Sequence, residues 1–168
     1  MSSKQGIWVD GERELYLNMQ KTLDGSIKAG MKGLEKAAMN IIADAKENLR
    51  GNHSVVTGQL RASGRVQRAQ DDEQALDAGF FGQGSSGHAV FVEYGRRAGK
   101  FPPLDYIRQW VRKKMKLEGR EANSVGFLIA RKIARKGTKP HPFLGPAVEK
   151  NKRQVSEAIT MAIKDTIK

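Results

Sequence analysis

Apolar residues recur at spacings of three and four along the first third of the chain: Leu15, Met19, Leu23, Ile27, Met31, Leu34, Ala38, Ile41, Ala45 and Leu49. That stripe is the buried face of an amphipathic helix beginning near Glu12. Asp24-Gly25-Ser26 falls inside it and offers a stop and a new cap, so the pattern predicts two helices in succession. Gly30 and Gly33 within the second would each cost up to about 1 kcal/mol against alanine unless another backbone packs closely there. Ahead of the stripe, Ile7, Trp8 and Val9 precede Asp10-Gly11, which predicts a short strand over 4–9 closed by a turn. Arg50-Gly51-Asn52 ends the helical region.

Beyond it the period changes. A polar connection, Thr57-Gly58-Gln59-Leu60-Arg61-Ala62-Ser63, leads to a weak strand at 64–69, an acidic turn at Asp71-Asp72-Glu73 and a second strand at 75–81. Together they predict an antiparallel hairpin. Gly82-Gln83-Gly84-Ser85-Ser86-Gly87 predicts a flexible loop tip. No Lys-Ser or Lys-Thr follows that loop and no helix is predicted to open at once, which argues against a phosphate-binding P-loop. His88 to Tyr94 are apolar enough to be buried, as a strand or a short helical turn.

Pro102-Pro103 opens a helix in which Leu104, Ile107, Trp110, Val111 and Met115 share a face. Another is predicted from about Ser124 to Lys136, with Phe127 or Leu128, Ile129 and Ile133 as its core face and Gly137 as its stop. Pro146 fits the first turn of a last helix, striped by Val148, Val155, Ile159, Ile163 and Ile167. The predicted fold class is α+β: a small antiparallel sheet packed against a long N-terminal helical region, with additional basic helices and a C-terminal helix. A single domain over 1–168 accounts for all of it.

Composition narrows the function. With 39% hydrophobic and 29% charged residues in 168, the chain reads as a folded domain, neither membrane-embedded nor disordered. The absence of cysteine excludes disulfides, thiolate zinc sites and a cysteine nucleophile. Met1 to Gly11 has no apolar run, nowhere are there about 18 consecutive apolar residues, and synthesis in a cytoplasm with no membrane partner is expected.

Positive charge is local. Between Arg96 and Lys139 stand fourteen bases against three acids (Asp105, Glu118 and Glu121), which is eleven of the chain's twelve net positive charges. The candidate face comprises Arg108, Arg112, Lys113, Lys114 and Lys116 on the first of the two basic helices and Arg131, Lys132, Arg135 and Lys136 on the second. A charge run is most often a solvated face, but so few acids leave an isolated domain with self-repulsion. Two partners fit: a nucleic-acid phosphate backbone, bound with steep salt dependence, or an acidic protein surface in an assembly. Tyr106 and Trp110 read as core, so stacking aromatics are scarce and nucleic-acid contact would be independent of sequence.

Catalysis finds little support. His53, His88 and His141 are far apart in sequence, and none stands three or four residues from another histidine or a carboxylate in a helical metal-binding pattern. No metal or cofactor is called for. Glu93, flanked by apolar residues, has the setting of an acid or base. No second carboxylate or nucleophile accompanies it, and an ion pair with Arg96, Arg97 or a neighbouring subunit is the expectation. Pro140, Pro142 and Pro146 hold an extended segment that presents Phe143 and Leu144 as an apolar anchor, packed on the chain's own core or docked on a neighbour.

Three motifs in order, Thr57-Gly58-Gln59-Leu60-Arg61-Ala62-Ser63, Val92-Glu93-Tyr94-Gly95 and His141-Pro142-Phe143-Leu144-Gly145-Pro146-Ala147, resemble the tail-component family of long-tailed bacteriophages, the tail-completion or neck proteins. Many relatives carry the last two motifs close together, whereas here a basic helical insertion at about 101–137 separates them. The resemblance implies a non-enzymatic structural virion protein, made in the host cytoplasm and working in the neck of the particle. It implies a ring, commonly of six copies, joining the head connector or head-closure protein to the tail terminator or tail tube around the DNA channel. Glu93, Tyr94, Arg96, Arg97, His141, Pro142, Phe143 and Leu144 are then candidate assembly contacts. A small non-specific DNA-binding protein is the rival reading.

Overall fold

The computed structural model describes residues 11–51, 58–82 and 85–166. The strand predicted over 4–9 lies outside them. Eight elements follow in order: α1 (Glu12–Gly51), α2 (Gln59–Ala62), β1 (Gly64–Arg68), β2 (Leu76–Phe80), α3 (Ser85–Tyr94), α4 (Leu104–Met115), α5 (Gly119–Lys136) and α6 (Leu144–Thr166). The fold is α+β, a two-stranded antiparallel sheet among helices.

A single helix replaces the two predicted before Gly51. α1 runs unbroken for 40 residues, about 60 Å. The Ser26 hydroxyl, offered by the sequence as a new cap, turns back onto the helix and donates to the Thr22 carbonyl at 2.8 Å, as Thr22 Oγ1 does to the Asn18 carbonyl at 2.9 Å. The glycines have a packing reason. α6 lies antiparallel along α1, and a Cβ at Gly33 would come within 2.6 Å of the Ala158 carbonyl oxygen, while one at Gly25 would meet Thr166 Cγ2 at 3.1 Å. Close approach of a second helix holds α1 together where local propensity would break it.

The core gathers at the other end of this helix pair. Ile42, Ala45 and Leu49 of α1 pack with Leu60, Phe80, Phe143 and Ala147, and Val66, Ala89 and Val92 close over them. Phe80 and Phe143 meet edge to face with ring centroids 5.0 Å apart. The hairpin forms as predicted, in the register Gly64↔Phe80 through Arg68↔Leu76, and beyond it the Ala69 N–H donates to the Ala75 carbonyl at 3.1 Å.

Further expectations are corrected. Ser85 already begins α3, so a helix opens within the predicted loop tip and takes in Ser85-Ser86-Gly87, and of the two readings of His88 to Tyr94 the helical one holds. The P-loop reading still lacks its Lys-Ser or Lys-Thr. α5 starts at Gly119 and not near Ser124, and its buried positions are Ala122, Gly126 and Ala130, while Phe127 and Leu128 are exposed. Small residues face α4 because the helices cross closely: a Cβ at Gly126 would lie 3.1 Å from Arg108 Cγ. On α4 only Val111 is fully covered. Tyr106 at 70% exposure and Trp110 at 37% lie outside the core the sequence assigned them to.

Candidate functional site

Glu93 closes the last turn of α3 and faces the start of α6, fifty residues on. Its Oε2 accepts from the backbone N–H of Phe143 at 2.8 Å and Leu144 at 2.9 Å, and its Oε1 accepts from Gly145 at 2.9 Å. The fourth position of that helix start is Pro146, which has no N–H to satisfy. One carboxylate thus answers every free amide at the N-terminus of a 23-residue helix, where negative charge is also favoured by the helix dipole. Gly145 makes room for it, since a Cβ there would stand 3.0 Å from Oε1. The ion pair expected with Arg96 or Arg97 does not form. The Arg96 guanidinium instead donates to the Lys100 carbonyl and lies 5.5 Å from the Phe91 ring centroid.

Around this cap the two motifs are zipped together. Arg96 and Thr138 exchange backbone hydrogen bonds of 3.1 and 2.8 Å, and the His141 N–H donates to the Val92 carbonyl at 2.8 Å. Gly95 and Gly137 both adopt positive φ here, +73° and +71°. Side chains are excluded as well as strained: a Cβ on Gly95 would fall 2.5 Å from the Thr138 carbonyl, and one on Gly137 would collide with the Arg96 carbonyl. Phe143, 1% exposed, anchors α6 in the core, and Asn48 Nδ2 holds its carbonyl at 2.9 Å. Farther along the helix pair, Asp44 accepts from Asn151 Nδ2 at 2.6 Å and pairs with Lys150 at 3.1 Å. Those two bonds, Asn151 first, hold the Asp44 carboxyl below the usual range.

Of the candidate assembly contacts, then, Glu93, Phe143 and Leu144 build the join within one protomer. Tyr94, Arg97, His141 and Pro142 are the exposed members, Tyr94 at 77%. Sequence singled out both motifs without signalling that they meet; Pro146, fixing a helix start whose neighbouring amides need an acceptor, was the available hint.

The zipper also fixes the root of the α4–α5 hairpin. This hairpin leaves the body at Arg96 and Gly99, whose N–H donates to the Ala134 carbonyl at 2.8 Å, and returns at Thr138. Arg112, Lys113, Lys114, Lys116, Arg131, Lys132, Arg135 and Lys136 are all exposed on it. Among the described residues the tract holds one ion pair, Arg108 with the largely exposed Asp105 at 3.5 Å, and such a pair contributes little. The structure therefore brings the predicted basic residues onto one protruding unit with their charge uncompensated. No group of three or more His, Asp or Glu among the described residues is placed to hold a metal ion. No helix among them is long and apolar enough to cross a membrane.

Residues 13–95 match the family model described as "Bacteriophage HK97-gp10, putative tail-component". Over that span the chain belongs to this phage tail-component family. The matched region is about half of the 168 residues and runs from α1 through Gly95, so it includes Val92-Glu93-Tyr94-Gly95. The basic hairpin and α6 follow it. A phage tail component is a structural protein of the virion. No curated protein and no solved structure matches the chain.

Proposed function

We propose that this tail component is a ring protein of the neck, with six copies encircling the channel through which genomic DNA passes at the head-tail junction. Its neighbours on this reading are the head connector or head-closure protein on one side and the tail terminator or tail-tube proteins on the other. The protomer is a single domain over 1–168, and residues 101–137 are an insertion into it. The role is structural and non-enzymatic, without cofactor. What carries the reading is the family match over α1 to α3 combined with a hairpin whose cations, Arg108 apart, form no ion pair among the described residues. In a ring those cations face the DNA in the lumen or an acidic surface of an adjacent ring, and either contact relieves their mutual repulsion.

The test is a phage carrying a deletion of this gene, examined by electron microscopy and mass spectrometry. Filled heads and tails that fail to join, with the protein present at the neck of wild-type particles, are expected. Wild-type virions that lack the protein overturn the reading. The exposed bases also favour a second reading, a small DNA-binding protein without sequence preference. Tight, salt-sensitive gel shifts by a monomer that has no place in the particle would select it.

A further inference from the structure

The stripe that α6 covers on α1 does not stop where α6 does. Thr166 meets α1 at Gly25. Before that point every described side chain from Arg13 to Asp24 is exposed, among them Leu15, Met19 and Leu23 at 63, 65 and 62%. These are the same i, i+4 positions that farther along become core. Thirteen residues of helix, about 20 Å, thus carry an apolar seam beyond the end of its partner.

A second apolar face is displayed elsewhere. Val90, Phe91 and Tyr94 share one side of α3 and are 54, 49 and 77% exposed. Within one protomer the two faces stay apart, because α3 packs through Ala89 and Val92 on the core cluster, whose first α1 member, Ile42, lies nineteen residues or about 28 Å along α1 from Leu23. Charge also differs between them: Glu12–Asp24 holds three acids and two bases in this strongly basic chain, whereas Arg96 and Arg97 flank the α3 face.

We infer that the first turns of α1 in one copy dock on the Val90-Phe91-Tyr94 face of a second copy, a contact that rests on the ring reading above. Two different surfaces joined head to tail propagate around a ring, where each protomer uses both. About 20 Å of one helix buries less than the roughly 800 Å² per partner of a stable pair, so a single contact is weak and closure adds the strength.

Two variants test it, Leu15→Asp with Leu23→Asp in one chain and Tyr94→Asp in another. All three positions are exposed, and circular dichroism is expected to show the wild-type fold. In sedimentation velocity from about 1 to 200 µM, on a scale set by weak contacts, the wild type is expected to associate beyond a dimer and each variant alone to remain monomeric. Mixed in equal amounts, the variants are expected to form a heterodimer and stop, since each retains the half the other has lost. Failure of the mixture to pair overturns the head-to-tail contact. Variants that associate like wild type place self-assembly on another surface and leave the ring reading standing. A wild-type chain that is monomeric throughout sinks the contact, while the gene-deletion test still judges the ring. If hydrogen exchange at 15–23 speeds up on removal of residues 1–10, the seam is covered by the chain's own start and the inference falls.

Discussion

Glu93 is the residue on which the join between the two halves of the chain depends. Three backbone N–H groups converge on its carboxylate, and removing it leaves them beside a part-buried helix start with no acceptor. Glu93→Ala is expected to cost about 2–3 kcal/mol in urea denaturation. Glu93→Gln, which keeps one acceptor oxygen and loses the charge, should cost roughly half of that. Asp44 gives a second prediction, with a sign fixed by its lowered pKa. A carboxyl whose folded pKa lies below its unfolded value stabilises the fold above the unfolded pKa, and that contribution disappears as pH falls through the folded one. The stability advantage of wild type over Asp44→Asn, measured by thermal melts, is therefore expected to be full near neutrality and to shrink below about pH 4.

Helix pairing decides what the glycines of α1 do, and two substitutions separate packing from propensity. Gly33→Ala gains about 1 kcal/mol of helix propensity but drives a methyl into the Ala158 carbonyl, 2.6 Å away. Overpacking against backbone costs about 1–3 kcal/mol, so a net loss of stability is expected. Gly30→Ala meets nothing nearer than Ile163 at 3.5 Å and is expected to raise stability by about 1 kcal/mol. If both variants melt above wild type, α6 does not seat on α1 as described. The same contrast explains what could be read from sequence. Spacings of three and four revealed α1 and α6 because each helix carries its own stripe, and the hairpin followed from local turn chemistry. Asp24-Gly25-Ser26 misled because the helix that bridges it lies 140 residues away at Thr166. Pattern alone gives α5 a core face of Phe127 or Leu128, Ile129 and Ile133 because hydropathy weights large side chains, whereas a close crossing selects Ala122, Gly126 and Ala130. The cap at Glu93 needs contact across fifty residues, which no local pattern encodes.

Charge is the property of the molecule as a whole that its fold leaves unresolved. Seven net positive charges, ten bases against three acids, lie on the α4–α5 hairpin between Leu104 and Lys136, and like charges held this close destabilise the isolated chain through mutual repulsion. Replacing exposed Lys113, Lys114, Lys132 and Lys136 by glutamine removes four of them without touching the α4–α5 contact at Val111, Ala122, Gly126 and Ala130. At low ionic strength the variant is expected to be more stable than wild type by about 1 kcal/mol, a sum of small surface effects. The gap should close as salt approaches about 1 M, where the screening length falls to roughly 3 Å. Thermal melts of both chains across a salt series measure this directly. A wild type that gains nothing from salt relative to the variant would mean that the repulsion is already balanced inside the protomer, and the hairpin would then need no partner. The opposite outcome, a more stable monomer that enters particles less well, would identify these lysines as groups kept for contact with an anionic surface at the expense of the free chain.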